Sequence, residues 1–277
     1  MSDAGSLSRR ALLVGGGAAA LLAAGVTAGL VTDTLPMPEG LRRRMMDQGP
    51  DGVVPDVPQQ VTLEQRDSAA RGRTVGFYTA VPDGHGDGAG LPVCLVLHGA
   101  SATTADYGAF GLGRFLTAAV RSGVPPFVLA GADGGRTYWL GDGAGDDPQR
   151  MVHDEIPAWC EELGFDTSRM AAYGWSMGGF GSLYAAASHA GWLRGVAALS
   201  PAVAPGDDVF SRADALVGPE VALWCGTADP LHDNVQALAA AIPGGPAIAA
   251  YAPGAHTRRY WNRITPDAFA FVGRSLG

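Results

Sequence analysis

The chain has 277 residues, 47% of them hydrophobic, and a formal net charge of −8, which is enough apolar material for a substantial core and the wrong sign for binding nucleic acid. All 19 basic residues are arginine, which excludes a Schiff-base lysine, a phosphate-loop lysine and a Ser-Lys dyad. Cys94, Cys160 and Cys225 are an odd number of thiols in apolar runs, so they are expected as buried cysteines rather than a disulfide framework.

The amino terminus pairs Arg9 and Arg10 ahead of an apolar, Gly/Ala-rich run that reaches Val31. This pattern predicts a twin-arginine export signal over 1–31, read by the twin-arginine machinery, with Val26-Thr27-Ala28 as a small-residue cleavage site. The run is also long enough to span a bilayer, so residues 11–31 would tether the protein to a membrane if they were not removed. Either outcome places the protein outside the cytoplasm, secreted or held at a bacterial cell envelope. Residues 32–59, with Pro36, Pro38, Pro50, Pro55 and Pro58, are expected as a linker without a core of its own. Arg42-Arg43-Arg44 within it is expected as a solvated charge run.

From residue 60 onward, strand and helix patterns alternate. Val61–Ser68 and Arg73–Val81 predict a hairpin turning near Arg71-Gly72, and Pro92–His98 a buried strand. A helix over Leu112–Arg121, a strand over Phe127–Ala132 and a helix over Met151–Leu163 follow. Strands are then expected at 170–173, 196–199, 221–225 and 247–251, with helices at 177–187, 235–241 and 266–275. Apolar strands separated by helices predict an α/β fold with a mainly parallel central sheet covered on both faces, and chemistry at the carboxyl ends of its strands.

Gly174-Trp175-Ser176-Met177-Gly178 lies between the strand at 170–173 and the helix at 177–187. A Gly-x-Ser-x-Gly sequence between strand and helix is the pattern of a nucleophile on a sharp turn, where the small flanking residues let neighbouring backbones approach. A serine hydroxyl needs a base, and the base needs a carboxylate to fix its tautomer. Of the six histidines, His256 directly follows the last predicted strand, whereas His232 opens a helix and His98 ends a strand in a setting that suits a structural histidine. Asp229 lies just beyond the strand at 221–225 and is the candidate acid, with Asp207, Asp208 and Asp233 as alternatives. The backbone N–H groups of Met177 and of Ala100, or its neighbour Ser101, are the expected oxyanion donors.

Tyr138, Trp139 and Trp175 are candidate substrate-binding aromatics, although aromatic packing explains Tyr138 and Trp139 equally well. Arg258 and Arg259 beside the base read as surface charge in preference to recognition of an anionic substrate group. The acidic loop 141–147 lacks the alternating ligand spacing of a calcium loop, so no metal is expected.

Asp133-Gly134-Gly135 with Tyr138-Trp139, Asp154-Glu155-Ile156-Pro157, the turn at 174–179, Gly226-Thr227-Ala228-Asp229, and Gly254-Ala255-His256 with Tyr260-Trp261 together resemble one known family. It is the "Putative esterase" family of α/β-hydrolases, which includes esterase D-type S-formylglutathione hydrolases and secreted mycolyltransferases. The resemblance covers roughly residues 60–277. It implies an α/β-hydrolase fold and a serine carboxylesterase or acyltransferase that uses no cofactor, with Ser176, Asp229 and His256 as its triad. Trp175 and Thr257-Arg258-Arg259 depart from the family pattern and bear on the substrate, not on the triad.

The stretch between the strand at 196–199 and the one at 221–225 is too short for a helical cap, so an open site is expected. The leading expectation is an exported esterase acting on a small-molecule or lipid ester. The alternatives are an envelope acyltransferase with the same triad and a non-catalytic envelope binding module. Labelling of Ser176 by an active-serine probe separates the catalytic readings from the last.

Overall fold

The computed structural model describes residues 49–277. The expected export signal, the 11–31 tether and the arginine triplet lie outside the described residues. No helix among the described residues is long and apolar enough to cross a membrane.

Eight strands form one sheet: β1 (Gln60–Ser68), β2 (Arg73–Val81), β3 (Pro92–Leu97), β4 (Val128–Ala132), β5 (Asp166–Trp175), β6 (Leu193–Leu199), β7 (Glu220–Gly226) and β8 (Ile248–Ala252). Their order across the sheet is β1-β2-β4-β3-β5-β6-β7-β8. The β1–β2 hairpin pairs antiparallel and joins β4 antiparallel, while every pairing from β4 to β8 is parallel. The chain moves outward from β3 to β4 and then returns to the other side of β3 with β5. The order of the strands reverses between β3 and β5, and open parallel sheets place their chemistry at the carboxyl ends of the strands at such a point.

The parallel strands are buried on both faces, and their residues alternate between two cores. Val93, Leu95 and Leu97 of β3 join Met170 and Ala172 of β5 on one face. Cys94 and Val96 join Ala171, Tyr173 and Trp175 on the other. Helices α1 (Leu112–Arg121) and α5 (Arg258–Leu276) cover the second face. The first is covered by α2 (Ile156–Glu162), α3 (Met177–Ser188) and α4 (His232–Ala241). No cap interrupts the fold: residues 200–219 hold only short turns at Asp208–Ser211 and Ala213–Val217.

The expected helix over 151–163 is a π-helical turn over Met151–Glu155 followed by α2, and three other shifts have a cause in the packing. Helix α5 begins at Arg258 and carries Pro266 in its interior, instead of starting at the proline. A mid-helix proline costs about 3 kcal/mol, and the stripe Tyr260, Trp261, Ile264, Ala268, Phe269, Phe271, Val272 and Leu276 buries enough apolar surface to outweigh it. Strand β5 starts at Asp166, four residues before its apolar run, because its polar start pairs at the strand's edge with Pro92. The second half of the expected linker lies against the domain: Gly52 N–H donates to the Arg259 carbonyl at 3.0 Å, and Arg263 donates to the Pro50 carbonyl at 2.7 Å.

Cys94, Cys160 and Cys225 are free and buried, and burial raises all three thiols, that of Cys160 to about 12. A disulfide-exchange reagent at pH 8 is therefore expected to find no thiol in the folded protein and all three after unfolding in urea. A thiol that reacts at once in the native state contradicts this packing.

Candidate active site

Ser176 sits between β5 and α3 with φ of +56° and ψ of −123°. Among the described residues the other non-glycine positions with positive φ are Tyr138, Trp139 and Ser200. All four lie on loops leaving β4, β5 and β6 at the carboxyl edge, so the backbone strain of the structure is concentrated there. The turn is clamped from both sides of its peptide: Ser176 N–H donates to the Leu199 carbonyl at 2.9 Å, and Ala202 N–H donates to the Ser176 carbonyl at 2.9 Å.

The flanking glycines have a steric cause. A Cβ on Gly178 would stand 1.9 Å from the Leu97 carbonyl oxygen, and one on Gly174 would stand 2.3 Å from that of Gly178. The first turn of α3 thus lies against the end of β3, and this brings Met177 beside the loop that follows. A Cβ on Gly99 would stand 3.4 Å from that of Ser176, so that loop touches the nucleophile's residue directly. The N–H groups of Met177 and Ala100 have no hydrogen-bond partner among the described residues, as donors reserved for a ligand oxygen require.

His256 follows β8, and its Nε2 stands 2.9 Å from Ser176 Oγ. Its Nδ1 stands 2.9 Å from Asp229 Oδ2, on the loop after β7. The Asp229 side chain is fully buried, and its other oxygen accepts the Leu231 N–H at 2.9 Å. With Nδ1 donating to the carboxylate, Nε2 is left as the acceptor facing the serine. The alternative acids are occupied elsewhere: Asp207 accepts the Ala204 N–H at 2.7 Å, Asp208 lies 3.8 Å from Arg212, and Asp233 is exposed beside His232.

Residues 68–269 match the sequence profile of the family described as "Putative esterase". The chain belongs to this family. It is a carboxylic ester hydrolase with the α/β-hydrolase fold. A sequence comparison with curated proteins returns no significant match. Among solved structures it is similar to a ferulic acid esterase, at 19% identity and a TM-score of 0.70, over 80% of this chain and 100% of that one. It is also similar to an S-formylglutathione hydrolase from Agrobacterium tumefaciens, at 18% identity and a TM-score of 0.67, over 80% of this chain and 99% of that one. A feruloyl esterase module from Clostridium thermocellum, solved with sinapinate, matches at 15% identity and a TM-score of 0.65, over 81% of this chain and 92% of that one.

Two of the expected substrate-binding aromatics of this esterase are not at its surface. Trp175 is 2% exposed, packed among Tyr107, Phe110 and Trp261 and against Gly99. It lies two residues after Tyr173 on the same strand, so the period of two sends both into the core. Trp139 is 0% exposed, and its indole N–H donates to the His98 carbonyl at 3.1 Å. Tyr138 is 48% exposed, with its ring edge-on to Phe180, and remains available to a ligand.

His98 is the structural histidine the sequence suggested, whereas the other polar pins that hold the esterase's loops together were missed. His98 is buried, with Nδ1 2.9 Å from the Gly99 carbonyl, while its Nε2 accepts the Gly134 N–H at 3.0 Å. Burial lowers its pKa, which keeps it neutral in this structural role. Asp133 accepts from the Thr104 N–H at 2.8 Å, the Thr104 hydroxyl at 2.9 Å and the Gly76 N–H at 3.1 Å. The Ser200 hydroxyl accepts the Trp261 indole N–H at 3.1 Å. Asp133 fell within the family-like stretch, which was a usable signal; Ser200 carried none. Asp146 of the acidic loop is bound by Arg71 and Arg73. Among the described residues no group of three His, Cys, Asp or Glu side chains is placed to hold a metal.

The close approach at the turn makes a paired prediction. Gly178→Ala is expected to lower stability by about 2 kcal/mol or more, since backbone atoms of β3 cannot move aside, and to abolish turnover with it. Gly218→Ala, where a Cβ meets nothing and φ is −70°, is expected to be nearly neutral. Urea unfolding of both variants checks this; equal stabilities would contradict the steric account.

Proposed function

We propose that this esterase cleaves carboxylic esters through an acyl-enzyme on Ser176, with His256 as general base, Asp229 as the carboxylate that orients it, and Met177 and Ala100 N–H as oxyanion donors. The observation that carries the reading is the unbroken hydrogen-bonded chain from Ser176 Oγ through His256 to buried Asp229. In this reading His256 Nε2 takes the hydroxyl proton as Oγ adds to the ester carbonyl. The carbonyl oxygen becomes an oxyanion facing the two backbone donors. Collapse of the tetrahedral adduct transfers the proton from His256 to the leaving alcohol. Water, deprotonated by the same nitrogen, then releases the acid and restores the serine. The buried Asp229 stabilises the imidazolium in both halves.

The names ferulic acid esterase and S-formylglutathione hydrolase, carried by similar structures, favour hydrolysis over transfer. The substrate is a small-molecule or lipid ester, met outside the cytoplasm after export by the twin-arginine route that the arginine pair at 9–10 suggests. The uncapped site favours short or exposed acyl groups; it equally admits a hydroxyl acceptor larger than water, which supports envelope acyl transfer as the second reading.

Hydrolysis of p-nitrophenyl esters from acetate to long acyl chains tests the proposal. Wild type is expected to turn over the short esters, while Ser176→Ala falls by about 10⁴-fold or more. Asp229→Asn, which leaves the imidazole in the wrong tautomer, is expected to lose about 10⁴-fold in kcat. Turnover that survives Ser176→Ala would overturn the assignment. Acyl transfer to sugar or lipid hydroxyls without hydrolysis would move it to the second reading.

A further inference from the structure

Arg258 was expected as surface charge, yet the structure half-buries it, with its guanidinium packed among aromatic rings. It opens α5 two residues after His256, and its guanidinium carbon lies 3.7 Å from the ring centre of Phe110, 4.5 Å from Trp175 and 5.3 Å from Trp261. Its Nη1 is buried and without a hydrogen-bond partner among the described residues. Among the described residues no carboxylate forms an ion pair with it. Asp106 is the acid whose charge reaches it, but that carboxylate is bound by the Thr103 N–H at 2.8 Å and the Thr103 hydroxyl at 3.1 Å. Burial lowers the pKa of Arg258 to about 10, so it stays charged at neutral pH.

A half-buried guanidinium without an ion-pair partner gives up part of its hydration, and stacking on aromatic rings offsets only part of that cost. Its surroundings give the arrangement a use. Trp175 immediately precedes the nucleophile, and Trp261 stacks edge-on to the His256 ring at 4.9 Å. The leaving oxygen receives its proton from His256 Nε2, which faces Ser176, and Arg258 shares the Trp261 ring with that histidine. Phe110 is part-exposed and covers the guanidinium from the loop after β3. Phe110 is the side chain that would turn aside to expose this donor, which has no partner among the described residues.

We propose that Arg258 is the anion-binding residue of the alcohol subsite, and that the preferred esters carry a carboxylate or a phosphate on the alcohol side of the scissile bond. The proposal rests on the esterase reading of Ser176. A guanidinium held by aromatic faces keeps its N–H fork free for bidentate contact with either anion.

The test compares acetyl esters of phenols of similar size: para-acetoxybenzoate, para-acetoxyphenyl phosphate and the neutral para-acetoxybenzamide. The quantity read is kcat/KM for each anionic ester divided by that for the neutral one, and comparing proteins cancels the esters' intrinsic reactivity. Arg258→Met keeps the apolar stem, and it is expected to lower one or both ratios by about tenfold or more, mainly through KM, with Arg258→Lys recovering part. The ratio that falls further identifies the anion. Ratios unchanged in Arg258→Met, whatever the loss in overall rate, mean a packing role and overturn the proposal.

Should that variant fail to fold, inhibition of wild type decides. Para-hydroxybenzoate or para-hydroxyphenyl phosphate is expected to inhibit at least about tenfold more strongly than para-hydroxybenzamide, and less so as salt rises. Equal inhibition by all three overturns it. If wild type hydrolyses none of the esters, the esterase reading has failed by itself. Calorimetric binding of the same three phenols to wild type and Arg258→Met still decides the anion site.

Discussion

The site depends on one close contact between backbones. Where a side chain at residue 178 would begin, the carbonyl oxygen of Leu97 already stands, 1.9 Å away. Only glycine permits α3 to start so near the end of β3, and that nearness sets the N–H of Met177 beside the Gly99–Ala100 loop. The same turn forces Ser176 to a positive φ, which lifts its hydroxyl out of the sheet edge and toward His256. Strain of this kind persists only when the surroundings over-determine it, and here hydrogen bonds to the Leu199 carbonyl and from Ala202 do so.

Around that contact the loops are fixed by buried polar pins. His98 joins the β3 loop to the β4 loop, Asp133 joins both to β2, and Ser200 joins the β6 loop to α5. Each pin satisfies groups that would be costly to bury alone, so the loops are held at one geometry before any ligand arrives. The two aromatics that look most like pocket walls, Trp139 and Trp175, serve this framework from beneath. Tyr138, at positive φ like its buried neighbour Trp139, is the one of the three that faces outward.

The order of strands and helices was legible because apolar runs and helical periods follow directly from burial on two faces of a sheet. So was the Ser176, Asp229, His256 constellation, since each residue follows a strand at the same edge. The start of α5 was hidden by Pro266, whose local penalty is overridden by packing that sequence does not display. The polar first residues of β5 gave no strand signal, because edge pairing rather than burial places them. The burial of Trp175 could have been read from its register with Tyr173. That of Arg258 could not, because nothing in Thr257-Arg258-Arg259 distinguishes the arginine stacked on Phe110 and Trp175 from its exposed neighbour.

The central claim is that the chain places an activated serine at residue 176. Its most direct test is a fluorophosphonate probe on the folded protein, followed by mass spectrometry of the labelled peptide. The account predicts one adduct, on Ser176, that is lost in His256→Ala although that variant stays folded. Absence of an adduct in wild type, or equal labelling when His256 is replaced, would contradict it.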